Sequence, residues 1–352
     1  MTSPQRPVLR YYGGKWLLAP WIISQFPEHR VYCEPFGGAG SVLMRKDRSY
    51  AEVYNDLDGE IVNLFRVLQD QESSTRLFEL LNLTPFARDE FNTAYEPTTD
   101  PIEKSRRLII RAYMGFGSDG HNILSGKTGF RANSNRSGST PAHDWANYPE
   151  EVPAFYERLR GVCIENRDAS EVMAQQDSED TLHFVDPPYM AETRGAKQHG
   201  YVHEMSDDQH ATLCEFLKTL KGMVVLCGYD NELYKSLGWK SVKREAHADG
   251  ARDRVEILWF NPQAWERRPQ MSLLDYIGSA APVVPKKCHQ YGAAPCTKCK
   301  RPTISKSGVC ETCRTVACKC GTVFAPRNVG ILMCSDCRNV VRMRKQGKVE
   351  CT

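Results

Sequence analysis

The octapeptide from His183 to Met190, HFVDPPYM, ends an apolar run on an acid, two prolines and a tyrosine. Proline holds its own φ and has no backbone donor, so a strand over Leu182 to Val185 must stop there and pass into a rigid, extended loop. Asp186 and Tyr189 are thereby presented at a strand end. The Asp186 carboxylate and the Pro187 carbonyl form a pair of acceptors suited to an amino group with two hydrogens. The exocyclic amine of a purine is a poor nucleophile because its lone pair is delocalised into the ring. Gripping both hydrogens pulls that nitrogen toward tetrahedral geometry. Tyr189 offers a flat face for a base, a contact worth about 1–3 kcal/mol. The competing reading is a proline-rich turn with an incidental acid.

A second group lies upstream. In EPFGGAG, Glu34 to Gly40, the glycines Gly37, Gly38 and Gly40 sit between a strand and a helix, where they let backbone pass close to a ligand. The stretch is not a full GxGxxG fingerprint, and no GK[ST] follows that would make a phosphate loop. Asp56 comes 16 residues after Gly40 at the end of a second strand, where an acid can accept from both hydroxyls of a ribose. The competing reading is a cap on the helix that follows. A carboxylate at Glu34 would oppose phosphates and favour a ligand with cationic groups, such as S-adenosylmethionine.

Cysteine forms the third group. Ten of the 14 cysteines fall between Cys288 and Cys351, and in a reducing compartment dense pairs point to metal rather than disulfides. Cys296, Cys299, Cys310 and Cys313 give one quartet of thiolates, and Cys318, Cys320, Cys334 and Cys337 a second. Short knuckles put two sulfurs on one ion, so the pattern predicts two closed, structural zinc sites in a zinc-ribbon-like tail. Iron–sulfur ligation by one quartet is the alternative.

The elements that must position these groups follow from periodicity. Residues 29–46 read as strand, glycine turn and helix start, and 50–69 as strand and helix, with Ile61, Leu64, Phe65 and Leu68 on one face. Helical segments and a Gly/Ser/Asn-rich stretch over 71–150 break the pattern, which resumes with strands near 161–166, 181–186, 223–229 and 254–261. The expected fold is an α/β sheet over 1–261 with an insertion at 71–150, a Pro/Gly-containing linker over 262–290 and a small basic zinc-binding domain over 291–352. Residues 286–352 carry 14 Lys/Arg against 3 Asp/Glu, a net +11, whereas the other 285 residues carry 32 against 40, a net −8. Two four-thiolate zinc sites would lower the tail's charge to roughly +7. A basic module on an acidic body suits phosphate contacts by Lys298, Lys300, Arg301, Arg338, Arg342, Arg344 and Lys345, with protein docking as the competing role. His183 reads as a core residue, and His199, His203 and His210 have no partner at metal spacing. Without an apolar leader or a run of 18 uncharged apolar residues, no membrane span is expected, and the expected location is the cytoplasm of a bacterium or of a phage's host. Nothing in the sequence sets the oligomeric state.

Three motifs in order, RYYGGK (10–15), EPFGGAGSV (34–42) and DPPY (186–189), resemble those of the Dam-like DNA adenine-N6 methyltransferases over roughly residues 8–261. The resemblance implies a Rossmann-like methyltransferase sheet, S-adenosylmethionine as donor, and an adenine flipped out of double-stranded DNA. It also implies cofactor contacts from Tyr11, Lys15, Asp56 and Asp186, and a catalytic loop of Asp186, Pro187, Pro188 and Tyr189. Tyr11 stands where the family usually has Trp, and Arg10 where it has a Lys close to DNA. The insertion resembles the family's target-recognition region by position only. There Lys127, Arg131 and Arg136 are candidates for phosphate or guanine, and Asn133 or Asn135 for adenine. Methylation of the cytosine amine, which more often uses SPPY, methylation of RNA or protein, and an inactive DNA-binding protein are the other readings.

Overall fold

A computed structural model of the chain describes residues 3–118, 120, 122, 126–132, 139–190, 201–247 and 253–269, together with residues 316–317 and 323–324 of the tail. The chain divides into two units, Met1–Gln270 and Met271–Thr352.

In the first unit, the apolar runs become the middle of a sheet. β4 (Thr181–Val185) and β5 (Met223–Gly228) are buried along their whole length, as central parallel strands covered on both faces must be. Beside β4 lie β1 (Val31–Glu34), β2 (Ala51–Asn55) and β3 (Val162–Glu165). Beyond β5 come β7 (Asp253–Phe260) and then β6 (Lys240–His247). The order is β3-β2-β1-β4-β5-β7-β6, with β7 antiparallel to both neighbours. Connections from β1 lead one way and from β4 the other, so the sheet has its switch point between these two strands. The crevice beyond their carboxyl ends is where such sheets bind ligands.

Helices cover the faces: α1 (Ala19–Ser24), α2 (Ser41–Arg45) and α3 (Gly59–Gln69), then α8 (Val152–Leu159), α9 (Ala169–Gln176), α10 (Asp207–Thr219) and α11 (Glu232–Lys235). The insertion supplies α4 (Gln71–Leu83), α5 (Arg88–Thr93), α6 (Pro101–Met114) and α7 (Pro141–Ala146). These do not form a separate module. Leu77, Leu81, Phe91, Leu108 and Trp145 belong to the same core as Phe65 and Phe184. Buried Arg111 ties α6 to the body, bonding the Ala94 carbonyl at 2.8 Å and Glu60 at 2.5 Å.

At the far boundary, the expected linker starts differently. Residues Pro262–Arg267 form α12, capped by Asn261 and packed through Trp265 on Phe260. Asn261 also bonds the backbone at Val224 and Gly222, so the first residues after β7 are part of the body. His183 is fully buried, 3.5 Å from Asp177, and burial pushes its pKa down to about 4. No described helix is long and apolar enough to cross a membrane. In the second unit, β8 (Val316–Ala317) and β9 (Val323–Phe324) pair antiparallel. The eight proposed zinc ligands, and Asn133, Asn135 and Arg136, lie outside the described residues.

Candidate active site

The loops that leave β1, β2, β3 and β4 at their carboxyl ends converge on one cleft of about 280 Å³. That is near the lower end of the roughly 300–1,000 Å³ common for small-molecule sites. Tyr11, Lys15, Gly37, Gly38, Asp56, Asp186 and Pro188 line it, so most of the residues chosen from the sequence meet in space. Besides Glu34, the lining holds five acids, Asp56, Asp58, Asp168, Asp186 and Glu204, against Lys15 and His203. This charge balance repels phosphate and suits a ligand with cationic groups.

The turn after β1 is shaped by close packing. A Cβ on Gly37 would lie 2.1 Å from the Tyr54 ring, and Gly40 adopts φ 59° with a Cβ position 2.8 Å from Phe65. Only glycine passes both places without displacing an aromatic ring. Tyr54 and Phe65 stack at 4.1 Å beneath the turn, and the Tyr54 hydroxyl donates to the Gly38 carbonyl at 2.6 Å. Gly40 supports the turn from below and does not line the cleft.

Two acids compete to cap α3, and Asp58 takes that role, accepting from the Glu60 and Ile61 amides. Asp56 therefore faces the cleft. Its two oxygens accept from the Gly38 and Asp58 amides, each at 2.8 Å. Burial pushes its pKa up to about 6 against the opposing pull of those amides. Glu34 differs from the fixed anion expected from sequence. It is 2% exposed, accepts from the Tyr32 hydroxyl at 2.7 Å and the Leu43 amide at 3.0 Å, and burial pushes it up to about 8. Near neutral pH it holds its proton, because burial of the charge costs more than these two donors return.

At the end of β4, Lys15 donates to Asp186 Oδ2 and to the Gly13 carbonyl, both at 2.8 Å. Burial opposes the charge on Lys15, but Asp186 and the nearby Cys227 and Glu256 together hold its pKa well above the ordinary value. Asp186 Oδ1 is buried and has no hydrogen-bond partner among the described residues. Pro187 is buried, and neither it nor Tyr189 lines the cleft. Tyr189 is 5% exposed, with the Lys15 ammonium 4.6 Å from its ring centre and Tyr229 meeting it edge-on at 4.6 Å. Stacking of a base on Tyr189 thus requires Lys15 or Tyr229 to give way.

Sequence reasoning missed Tyr12, Tyr201 and Asp168 and set aside His203, all of which line the cleft. Tyr201 lines the cleft and meets Tyr12 edge-to-face at 5.3 Å. Nothing in the surrounding sequence marks Tyr201. Asp168 follows β3 as Asp58 follows β2, three residues past the strand and capping the next helix, α9, through the Ser170 and Glu171 amides, and this repeated strand-then-cap pattern was its available signal. In the insertion, exposed Lys127 bonds Asn92 at 2.6 Å. Arg131 bonds the Tyr113 carbonyl at 3.0 Å and lies 3.9 Å from Asp144. Arg10 reaches the Gly115 carbonyl at 3.5 Å.

The strand order with its antiparallel β7, and an acid-lined cleft at the switch point, define a Rossmann-like methyltransferase. Residues 11–247 match the family model for the D12 class N6 adenine-specific DNA methyltransferases, and the chain belongs to that family. It is 26% identical to the DNA adenine methylase of Salmonella typhi over 228 residues, covering 61% of this chain and 76% of the relative. The DNA adenine methylase of Vibrio cholerae serotype O1 is 26% identical over 273 residues, 72% of this chain and 95% of its own. A type II methyltransferase of Lactococcus lactis subsp. cremoris, M1.LlaDCHI, is 26% identical, covering 65% and 84% respectively.

Proposed function

We propose that this chain methylates the N6 amine of an adenine turned out of double-stranded DNA, with S-adenosylmethionine as donor. The observation that carries the reading is Asp186 Oδ1, a buried acceptor at the end of β4 with no partner among the described residues, while Oδ2 is already held by Lys15. An amino hydrogen is the partner it lacks. The Pro187 carbonyl, one residue on, takes the second hydrogen, and the two acceptors turn the nitrogen lone pair out of conjugation. Once the nitrogen has become cationic, Asp186 stabilises the charge and takes the surplus proton.

The residues present fit the donor. Asp56 accepts from a ribose diol, Tyr11 gives a flat surface beside Gly38, and the acid-rich lining receives positive charge. When bound, S-adenosylmethionine would supply an electrophilic methyl group, its sulfur keeping the electron pair of the methyl–sulfur bond as the bond to N6 forms. The chain's own work is positioning, an effect able to contribute several kcal/mol. Lys127, Arg131 and Arg10 lie on or beside the insertion, which supports a role for it in reading the duplex.

The tail reading is separate. Two thiolate quartets support two structural zinc ions. The pairing of β8 with β9 supports the second quartet, because the five residues between these strands include Cys318 and Cys320. The remaining positive charge supports non-specific phosphate contacts.

The test is to incubate the protein with labelled donor and separate pools of DNA, RNA and protein, then identify the labelled nucleoside. N6-methyladenine from duplex DNA, lost in Asp186→Ala, is the expected result. Label on cytosine or RNA, or label unchanged in the variant, would overturn it.

A further inference from the structure

In β7 the buried acid Glu256 stands next to a run of apolar residues. Ile257, Leu258, Trp259 and Phe260 are buried, and so is Glu256, at 6% exposure. A carboxylate kept in such a place needs strong partners, because an unsatisfied one would cost several kcal/mol. Glu256 Oε2 accepts from the Tyr189 hydroxyl at 2.8 Å, and the Cys227 thiol of β5 lies 3.3 Å from the same hydroxyl. The ring so held carries the Lys15 ammonium 4.6 Å from its centre, and Lys15 in turn grips Asp186 Oδ2 at 2.8 Å.

We infer that Glu256 is a positioning residue for the methyl-transfer site, acting through Tyr189 and Lys15 to keep Asp186 Oδ1 turned toward the target amine. The inference rests on the function proposed above. A phenol bonded to a carboxylate is fixed in rotation and is more electron-rich, so its face holds the ammonium more firmly. The ammonium then has two fixed partners besides the ring, Asp186 and the Gly13 carbonyl. Removing the carboxylate lets the ring swing and the lysine follow. The cost falls on the reacting geometry rather than on capture of either substrate.

The test is a double-mutant cycle with Tyr189→Phe and Glu256→Met, read as kcat and KM for donor and for duplex DNA. Each single variant should lower kcat about tenfold with both KM values within about twofold, and the double variant should fall no lower than either. Glu256→Gln keeps an acceptor oxygen and should stay within about threefold of the unaltered chain, which a purely volume-filling role would not require. Losses that multiply to about a hundredfold in the double variant, or a Gln as damaging as Met, would overturn the role of Glu256. Should the unaltered chain place no methyl group on duplex adenine, the reading of the site itself fails instead.

Discussion

Asp56 and Glu34 are both buried acids in one cleft, yet their environments separate them. Asp56, pushed up to about 6 by burial, is ionised near pH 7 and can accept from two hydroxyls. Below that value it protonates and loses acceptor capacity. Donor affinity measured by calorimetry should therefore weaken as pH falls from about 7 to about 5, and Asp56→Asn should bind about tenfold more weakly with that dependence gone. Glu34 has a folded pKa of about 8, above its ordinary 4.5, so its protonated form is the one the fold favours. Its contribution to stability is complete below the ordinary value and is lost as pH rises through about 8. Between about pH 7 and 9 the ligand-free protein should lose on the order of 1 kcal/mol relative to Glu34→Gln, measured by urea unfolding. An equal pH slope in the two proteins would show that Glu34 is already ionised. Gly37→Ala, whose methyl would meet the Tyr54 ring, should cost about 1–3 kcal/mol and impair donor binding.

At the scale of elements, the loops are held by caps and by the strands beneath them. Asp58 caps α3 and also donates its own amide to Asp56, so one residue sets both the helix start and the cleft wall. Asp58→Ala should lower stability by about 1 kcal/mol and weaken donor binding, whereas Asp58→Asn should retain most of the stability. Thermal melts and calorimetry on the two variants distinguish these outcomes. The sequence left Asp56 either to cap or to bind, but Asp58 two residues on takes the cap, a division that only the backbone decides. Strands β1, β2, β4 and β5 were legible because glycine or proline ends the runs at β1 and β4 and the apolar runs are long enough for burial. The end of β7 was less so, since Pro262 reads as a linker residue from composition but opens a helix when Asn261 precedes it. Glu256 could have been found as the one acid in RVEILWFN, although its partner, Tyr189, lies 67 residues earlier. The insertion looked like a separate region because its helices break the strand alternation, whereas their apolar faces pack into the common core.

For the whole molecule, the cleft and the residues that support it lie within Met1–Gln270, one of the two units of the chain. A chain ending at Gln270 should fold and methylate duplex DNA with kcat within about threefold of the full chain, while its KM for DNA rises with the loss of the basic tail. The full chain should carry two zinc ions by mass spectrometry under native conditions, and the shortened one none. A full chain that binds no zinc after expression with the metal would refute the tail assignment without touching the cleft. The central claim concerns one oxygen. A structure of the full chain with an adenine-containing duplex and a donor analogue that cannot transfer its methyl group measures it directly. The adenine N6 should lie about 2.7–3.2 Å from Asp186 Oδ1. An adenine still stacked in its duplex, or an N6 bonded elsewhere while that oxygen faces protein, would contradict the account.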